Sequence, residues 1–307
     1  MKLGIYSDIH WSTYSSILRS RGEEFSVYLE GLINSVNWAE NLFSTNGCDL
    51  VICAGDFLDS KDLESEEISA LKKIVWNNLH HYFICGNHEM GSFDHTFSST
   101  KLFDLLPAFR VIDKATALEM DGYELDLLPY ILESDRKPIE EYFKSSNLKR
   151  ILISHEDISG LQMGQFISKS GFSIQELQKN FDLVINGHLH NGGKVADKIF
   201  NIGSLSAINF SNDSSMYTYG AFILDTDTLE IDVFENPFAF NFYKLDATNN
   251  KVNLSDLKNN AVITIKCNEN DANYYRSEIL NYKNIIESRM IVEYKASQSL
   301  ASEESMV

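Results

Sequence analysis

A chain of 307 residues, 44% hydrophobic and 23% charged, has the length for one large domain plus a small one and globular composition throughout. Its 44 acidic against 26 basic residues give a net charge of −18, which opposes general electrostatic adhesion to nucleic acid. No run approaches the roughly 18 uninterrupted apolar residues of a membrane span. The opening Met1 to Asp8 reaches an acid too soon for a secretory leader, so the expectation is a soluble, cytoplasmic protein whose first residues form a strand.

Short β-branched runs ending in Asp, Gly, Asn or His recur between helical stretches, the α/β pattern, and residues 2–6, 50–53, 82–85, 151–153 and 183–185 are predicted strands. The clearest helix carries Phe25, Leu29, Leu32, Val36, Ala39 and Phe43 at spacings of four and three and stops at Asn46-Gly47. A second is predicted from near Ser65 with Ile68, Leu71 and Val75 on its stripe, and a third from the capping box Ser173-x-x-Glu176. Residues 199–202, 221–224 and 230–234 read as strands in an antiparallel part of the same domain. The expected architecture over 1–245 is thus a layered sandwich. The polar stretch 246–260 reads as a linker, 261–266, 272–282 and 290–294 as a small strand-helix-strand domain over 261–295, and 296–307 as a flexible tail. Cys48, Cys53, Cys85 and Cys267 form no C-x-x-C pair and are expected as reduced core thiols.

Five segments put a metal-binding side chain at or just past the end of a predicted strand: Asp8-Ile9-His10, Gly55-Asp56-Phe57-Leu58-Asp59, Gly86-Asn87-His88-Glu89, Ser154-His155-Glu156 and Gly187-His188-Leu189-His190. Ligands of open α/β sheets gather outside the carboxyl ends of the strands, so these residues can converge from far apart in the chain. Carboxylate, imidazole and amide oxygen without thiolate suit manganese, iron or zinc rather than an iron–sulfur cluster. Period-two alternation would put Asp8 with His10, and His188 with His190, on one side of an extended segment. The glycines before Asp56, Asn87 and His188 would let the backbone approach a phosphate closely. Any one of these signals is weak, since a lone histidine is usually an ordinary core or surface group. The ordered set takes in five of the eight histidines and leaves His80, His81 and His95 as ordinary residues.

The order D-x-H, G-D-x-x-D, G-N-H-E, lone His, G-H-x-H over about residues 1–210 resembles the calcineurin-like metallophosphoesterases. Within them, Gly55 to Asp59, Asn201 to Leu205 and the segment from Gly220 to Pro237 look most like the SbcD-type nuclease subunits of DNA repair and recombination, including those of large phages. The resemblance implies an α/β/β/α metallophosphoesterase sandwich with a small C-terminal α/β cap that positions DNA. It implies two divalent metal ions, manganese by preference: Asp8, His10 and His190 would hold one, Asn87, His155 and His188 the other, and Asp56 would bridge both. His88 would be the proton donor, while Asp59 and Glu89 would orient neighbouring ligands. Implied partners are DNA, an SbcC-type ATPase and a second copy of the chain, with no membrane, in a bacterial or phage-infected cell.

Two other functions compete: a phosphatase or small-molecule or cyclic-nucleotide phosphodiesterase with the same metals, and a non-catalytic binding subunit. The first calls for an enclosed pocket, whereas a nuclease calls for a basic or aromatic path, for which Arg19, Arg21, Lys101 and Arg110 are candidates. A binding subunit should have lost ligands, and all seven expected positions carry them. Trp11 is expected in the core.

Overall fold

The computed structural model describes residues 1–15, 18, 20–120, 122–163, 166–211 and 214–294; the expected tail and Arg19 lie outside the described residues. Among those described, the chain divides into two units, Met1–Phe240 and one beginning at Asn241.

The first unit is built on two six-stranded sheets. One runs Ile231–Glu235, Gly220–Asp225, Lys2–Tyr6, Leu50–Cys53, His80–Ile84, Phe109–Ile112, with the last four strands parallel and the first two antiparallel. The other runs Gly193–Ala196, Ile199–Asn201, Leu183–Asn186, Lys149–Ser154, Tyr123–Leu128, Thr116–Met120, with a parallel centre and antiparallel edges.

Strand alternation sorts the apolar residues into layers. Leu3, Ile5, Leu50 and Ile52 of the first sheet share one buried cluster with Leu125, Leu127, Ile151, Ile153, Leu183 and Ile185 of the second, which makes this the interior of the sandwich. Each such side chain contributes about 1.5–3 kcal/mol on burial. The intervening Leu152 and Val184 pack outward with Phe143, Leu177 and Phe181, around the helix Ile174–Asn180. On the other outer face Tyr6 stacks on Phe43 of the helix Val27–Thr45 at 5.8 Å, and its hydroxyl donates to Glu40. The layers are therefore helix, sheet, sheet, helix, the expected α/β/β/α sandwich. No helix among the described residues is long and apolar enough to cross a membrane.

Several local expectations are corrected. The second helix is only Ser65–Leu71: Ile68 and Val75 are exposed, and the helix buries Glu67 and Ala70 instead. Its start is fixed by a capping box between Glu64 and Glu67, absent from the sequence reading. Ser173 does cap the third helix, accepting from the Glu176 amide, but the Glu176 carboxylate accepts from Ile139 N rather than closing the box. The later strands Gly220–Asp225 and Ile231–Glu235 do pair antiparallel, as expected, but Ile199–Asn201 runs parallel to Leu183–Asn186 and antiparallel only to Gly193–Ala196. Trp11 is fully buried, stacked on Phe57 and donating to Glu67 O, and all four cysteines are buried and free.

The second unit begins at Asn241, not 261, because Asn241–Ala247 is the first of three parallel strands, followed by Ala261–Asn268 and Ile285–Glu293. Residues 246–260 are more than a linker. Leu254 is buried with Tyr243, Ala261 and Ile263, and the Val252 amide donates to the Tyr275 hydroxyl. The helix Ala272–Ile279 buries Ala272 and Tyr275 against Ile265 and Cys267.

Candidate metal centre

Each candidate ligand follows the C-terminal end of a strand. Beyond Lys2–Tyr6 the chain is zipped to the loop after Leu50–Cys53 by Asp8 N donating to Gly55 O (3.0 Å), His10 N to Asp56 O (3.1 Å) and Trp11 N to Phe57 O (2.8 Å). His188 N donates to Asp8 Oδ2, tying in the loop after Leu183–Asn186. Strand alternation does not bring Asp8 and His10 together. Both lie beyond the strand with φ of 51°, and Asp56 (48°) and His188 (74°) are left-handed as well. Such backbone costs on the order of 1–3 kcal/mol at each non-glycine residue and persists where function over-determines it. The glycines serve the ligands rather than a phosphate: a Cβ at Gly55 would overlap the His155 ring, and one at Gly86 would overlap the Asp56 carboxylate.

The side chains gather into three overlapping triads, two of which contain Asp56. Donor atoms of Asp8, His10 and His190 lie within 4.8 Å of one another, as do those of Asp56, His155 and His188, and of His10, Asp56 and His88. Asp56 thus stands between the two histidine groups, with Oδ2 3.1 Å from His155 Nε2 and 3.9 Å from His10 Nε2. Asn87 Oδ1 sits 3.2 Å from His155 Nε2 and 3.0 Å from His188 Nδ1. His81 and His95 lie elsewhere, bonded to Glu40 and to Tyr130 O, and exposed His80 is in none of the clusters.

The donor chemistry fits cations. His10 Nδ1 is 2.8 Å from the Asp59 carboxylate, His155 Nδ1 is 2.7 Å from Ala54 O, and His188 Nε2 is 3.2 Å from Asp157. These partners only accept, so each ring carries a proton on that side and turns its other nitrogen inward. Inside, His10 Nε2 lies 3.0 Å from His190 Nε2, and the inner nitrogens of His155 and His188 face the Asn87 oxygen. Asp8 Oδ1 is buried without a hydrogen-bond partner, 3.9 Å from both His10 Nε2 and His190 Nε2. Carboxylate, imidazole and amide oxygen converging on one site, with Asp8 Oδ1 left without a hydrogen-bond partner, fit a divalent cation.

The titration shifts show the same demand. Burial would raise Asp56, but the charge of His155 outweighs it and holds the carboxyl far below its usual range. Burial would lower His155, yet Asp56 lifts it to about 10, whereas His190 is pushed down to about 4 by burial and stays neutral. Asp59, raised by burial, is brought to about 2 by hydrogen bonds from His10 and His88. In return the Asp59 hydrogen bond raises His88 to about 9, a shift that nearby divalent ions would offset. Burial lifts Glu89 to about 7; it accepts from Leu58 N and Gly86 N and so braces both ligand loops without facing the triads. Glu156 likewise holds the neighbouring loop through Ile131 N and Arg136.

Asp157 is the residue that sequence reasoning missed. It follows Glu156 in an acidic pair, and nothing local ranks one above the other; only the fold turns Asp157 toward the outer nitrogen of His188. Outer partners of this kind typically carry 10–100-fold in metal affinity. Asp157→Ala is therefore expected to weaken binding at the site of His188 by that factor while sparing the other, which two-step manganese titration by calorimetry measures.

The triads open onto a cleft of about 890 Å³ whose lining includes Asp56, Asn87, His88 and His190. The described members of the expected basic path are not among its lining: Arg21 is paired with Glu66, Lys101 with Asp113, and exposed Arg110 lies on the strand Phe109–Ile112 at the sheet edge. Lys194 is the cleft's basic residue among those described.

An α/β/β/α sandwich carrying two His-rich donor groups about one aspartate defines a dinuclear-metal phosphoesterase architecture. The model of the calcineurin-like phosphoesterases matches residues 1–192, and the chain belongs to that family. It is 23% identical over 241 residues, 76% of its length, to exonuclease subunit 1 of Enterobacteria phage T4, and 30% identical over 207 residues, 64% of its length, to the probable exonuclease subunit 1 of Escherichia phage T5. The matches span 65% and 58% of those relatives. Among solved structures, a purple acid phosphatase from yellow lupin seeds aligns with 73% of this chain and 49% of its own at a TM-score of 0.48 and 14% identity.

Proposed function

We propose that this chain is a manganese-dependent DNA nuclease that hydrolyses phosphodiesters in repair or recombination, as one subunit of a complex with an SbcC-type ATPase. The observation that carries the reading is the convergence of Asp8, His10, Asp56, Asn87, His155, His188 and His190 into two donor groups about Asp56. The phage relatives, named as exonuclease subunits, support a DNA substrate and a partner chain. A partner that grips DNA also answers the net charge of −18. The unit from Asn241 is proposed as the DNA-positioning cap, and a second copy of the chain as a further partner.

Asp8, His10 and His190 would hold one ion, Asn87, His155 and His188 the other, and Asp56 both. Bound metals of this kind lower the pKa of a water and neutralise charge on phosphoryl oxygens. The protein's own acid is His88. Its Nδ1 is held by Asp59 O at 3.1 Å and the Asp59 carboxylate at 3.3 Å, which leaves Nε2 to give a proton to the departing alkoxide. The reading is tested by manganese-dependent cleavage of linear double- and single-stranded DNA beside bis-p-nitrophenyl phosphate, with and without the ATPase partner. DNA cleavage is expected. Turnover of the small ester alone, unchanged when the partner is added, would favour a small-molecule phosphodiesterase.

A further inference from the structure

Part of the cleft's wall has no role in the proposed chemistry: its lining includes Leu161, Met216, Tyr217 and Lys194. Met216 is 72% exposed and Tyr217 half-buried. Leu161 also packs against the core cluster that holds Phe143 and Phe172, whereas exposed Met216 and the adjoining Tyr217 bring thioether and aromatic surface to the cavity that the metal-binding side chains line.

Charge distinguishes this wall from the rest of the molecule. The chain carries 44 acidic residues, yet among the described residues lining the cleft Asp56 is the sole carboxylate, and it belongs to the proposed metal centre. Lys194, on the edge strand Gly193–Ala196, lies 3.5 Å from exposed Asp197 and over the Phe200 ring at 5.8 Å. A cleft cleared of acids, with one base and one aromatic face, suits a ligand that is anionic at one end and flat and apolar at the other. A nucleotide has that form.

We infer that Leu161, Met216 and Tyr217 form a base-stacking subsite for a nucleotide flanking the scissile phosphate, with Tyr217 as its principal specificity residue. The inference rests on the phosphodiesterase reading and adds to it the feature that selects nucleic acid over other diesters. Stacking is tolerant of sequence, since every base offers a π-face, so the subsite confers preference for nucleotides without preference among them. A cleft of about 890 Å³ has room for roughly one drug-sized group beside the ions, by the usual range of ligand pockets.

The test compares two esters with the same leaving group, the p-nitrophenyl ester of thymidine 5′-monophosphate and methyl p-nitrophenyl phosphate. The wild-type chain is expected to favour the thymidine ester in kcat/KM. Tyr217→Ala is expected to shrink that preference on the order of tenfold, chiefly through KM, and Tyr217→Phe to restore it, since the ring and not the hydroxyl stacks. Manganese content and circular dichroism confirm that each variant is folded and loaded. A preference unchanged in Tyr217→Ala, or equally lost in Tyr217→Phe, would overturn the subsite. A wild-type chain that turns over neither ester would instead overturn the phosphodiesterase reading beneath it.

Discussion

Replacing Asp56 by Asn is expected to abolish turnover while leaving the fold in place. In the proposed centre the carboxylate would serve both ions, and metal-based charge stabilisation is worth several kcal/mol, which corresponds to about 10³-fold or more in rate. Asparagine suits the metal-free site well. It keeps an oxygen for the His88 amide, which donates to Asp56 Oδ1 at 3.0 Å, and turns an NH₂ toward His155 Nε2, now 3.1 Å from Asp56 Oδ2. In EDTA the variant is therefore expected to melt close to the wild type. The two should diverge on adding manganese: binding to the native state alone stabilises by about 2.7 kcal/mol at a hundred times Kd, and only the wild type should gain it. A variant whose melting temperature rises with manganese as the wild type's does would show that Asp56 is dispensable for binding.

His88→Ala is expected to do the opposite: metal content holds and turnover falls. General acid catalysis contributes roughly 10²–10⁴-fold. The loss should depend on the leaving group, being large for DNA, whose alkoxide must be protonated as it departs, and small for bis-p-nitrophenyl phosphate, whose phenolate leaves unaided. His88 is 40% exposed and lines the cleft, so its truncation opens no core cavity. Equal losses on both substrates, or loss of metal along with rate, would remove His88 from the acid's role and place it among the ligands, as its nearness to His10 and Asp56 would then suggest.

Much of this arrangement was legible in the sequence because the fold puts chemistry where chain periodicity ends. Each motif follows a run whose apolar residues pack one face inward, as Ile151 and Ile153 or Leu183 and Ile185 do, and those parallel strands end along a common edge. Order along the chain thus stood in for proximity. Local conformation was less legible. The D-x-H pair reads as an extended strand, whereas the left-handed backbone of Asp8 and His10 is imposed by hydrogen bonds to the distant Gly55 and Asp56. Edge strands such as Thr116–Met120, which alternate between partial burial and exposure, carried too weak an apolar signal. The start of the second unit was misplaced because Asn241 to Ala247 reads on its own as a continuation of the first; only pairing with Ala261–Asn268 assigns it. Asp157, Lys194 and Tyr217 belong to no motif, and their roles exist only in three dimensions.

Metal stoichiometry tests the central claim most directly. After loading with manganese and desalting, elemental analysis should return two ions per chain, and the electron paramagnetic resonance spectrum should show exchange coupling, since two ions held by one carboxylate would lie close enough to couple. One ion per chain, or two with uncoupled six-line spectra, would contradict an Asp56-bridged centre.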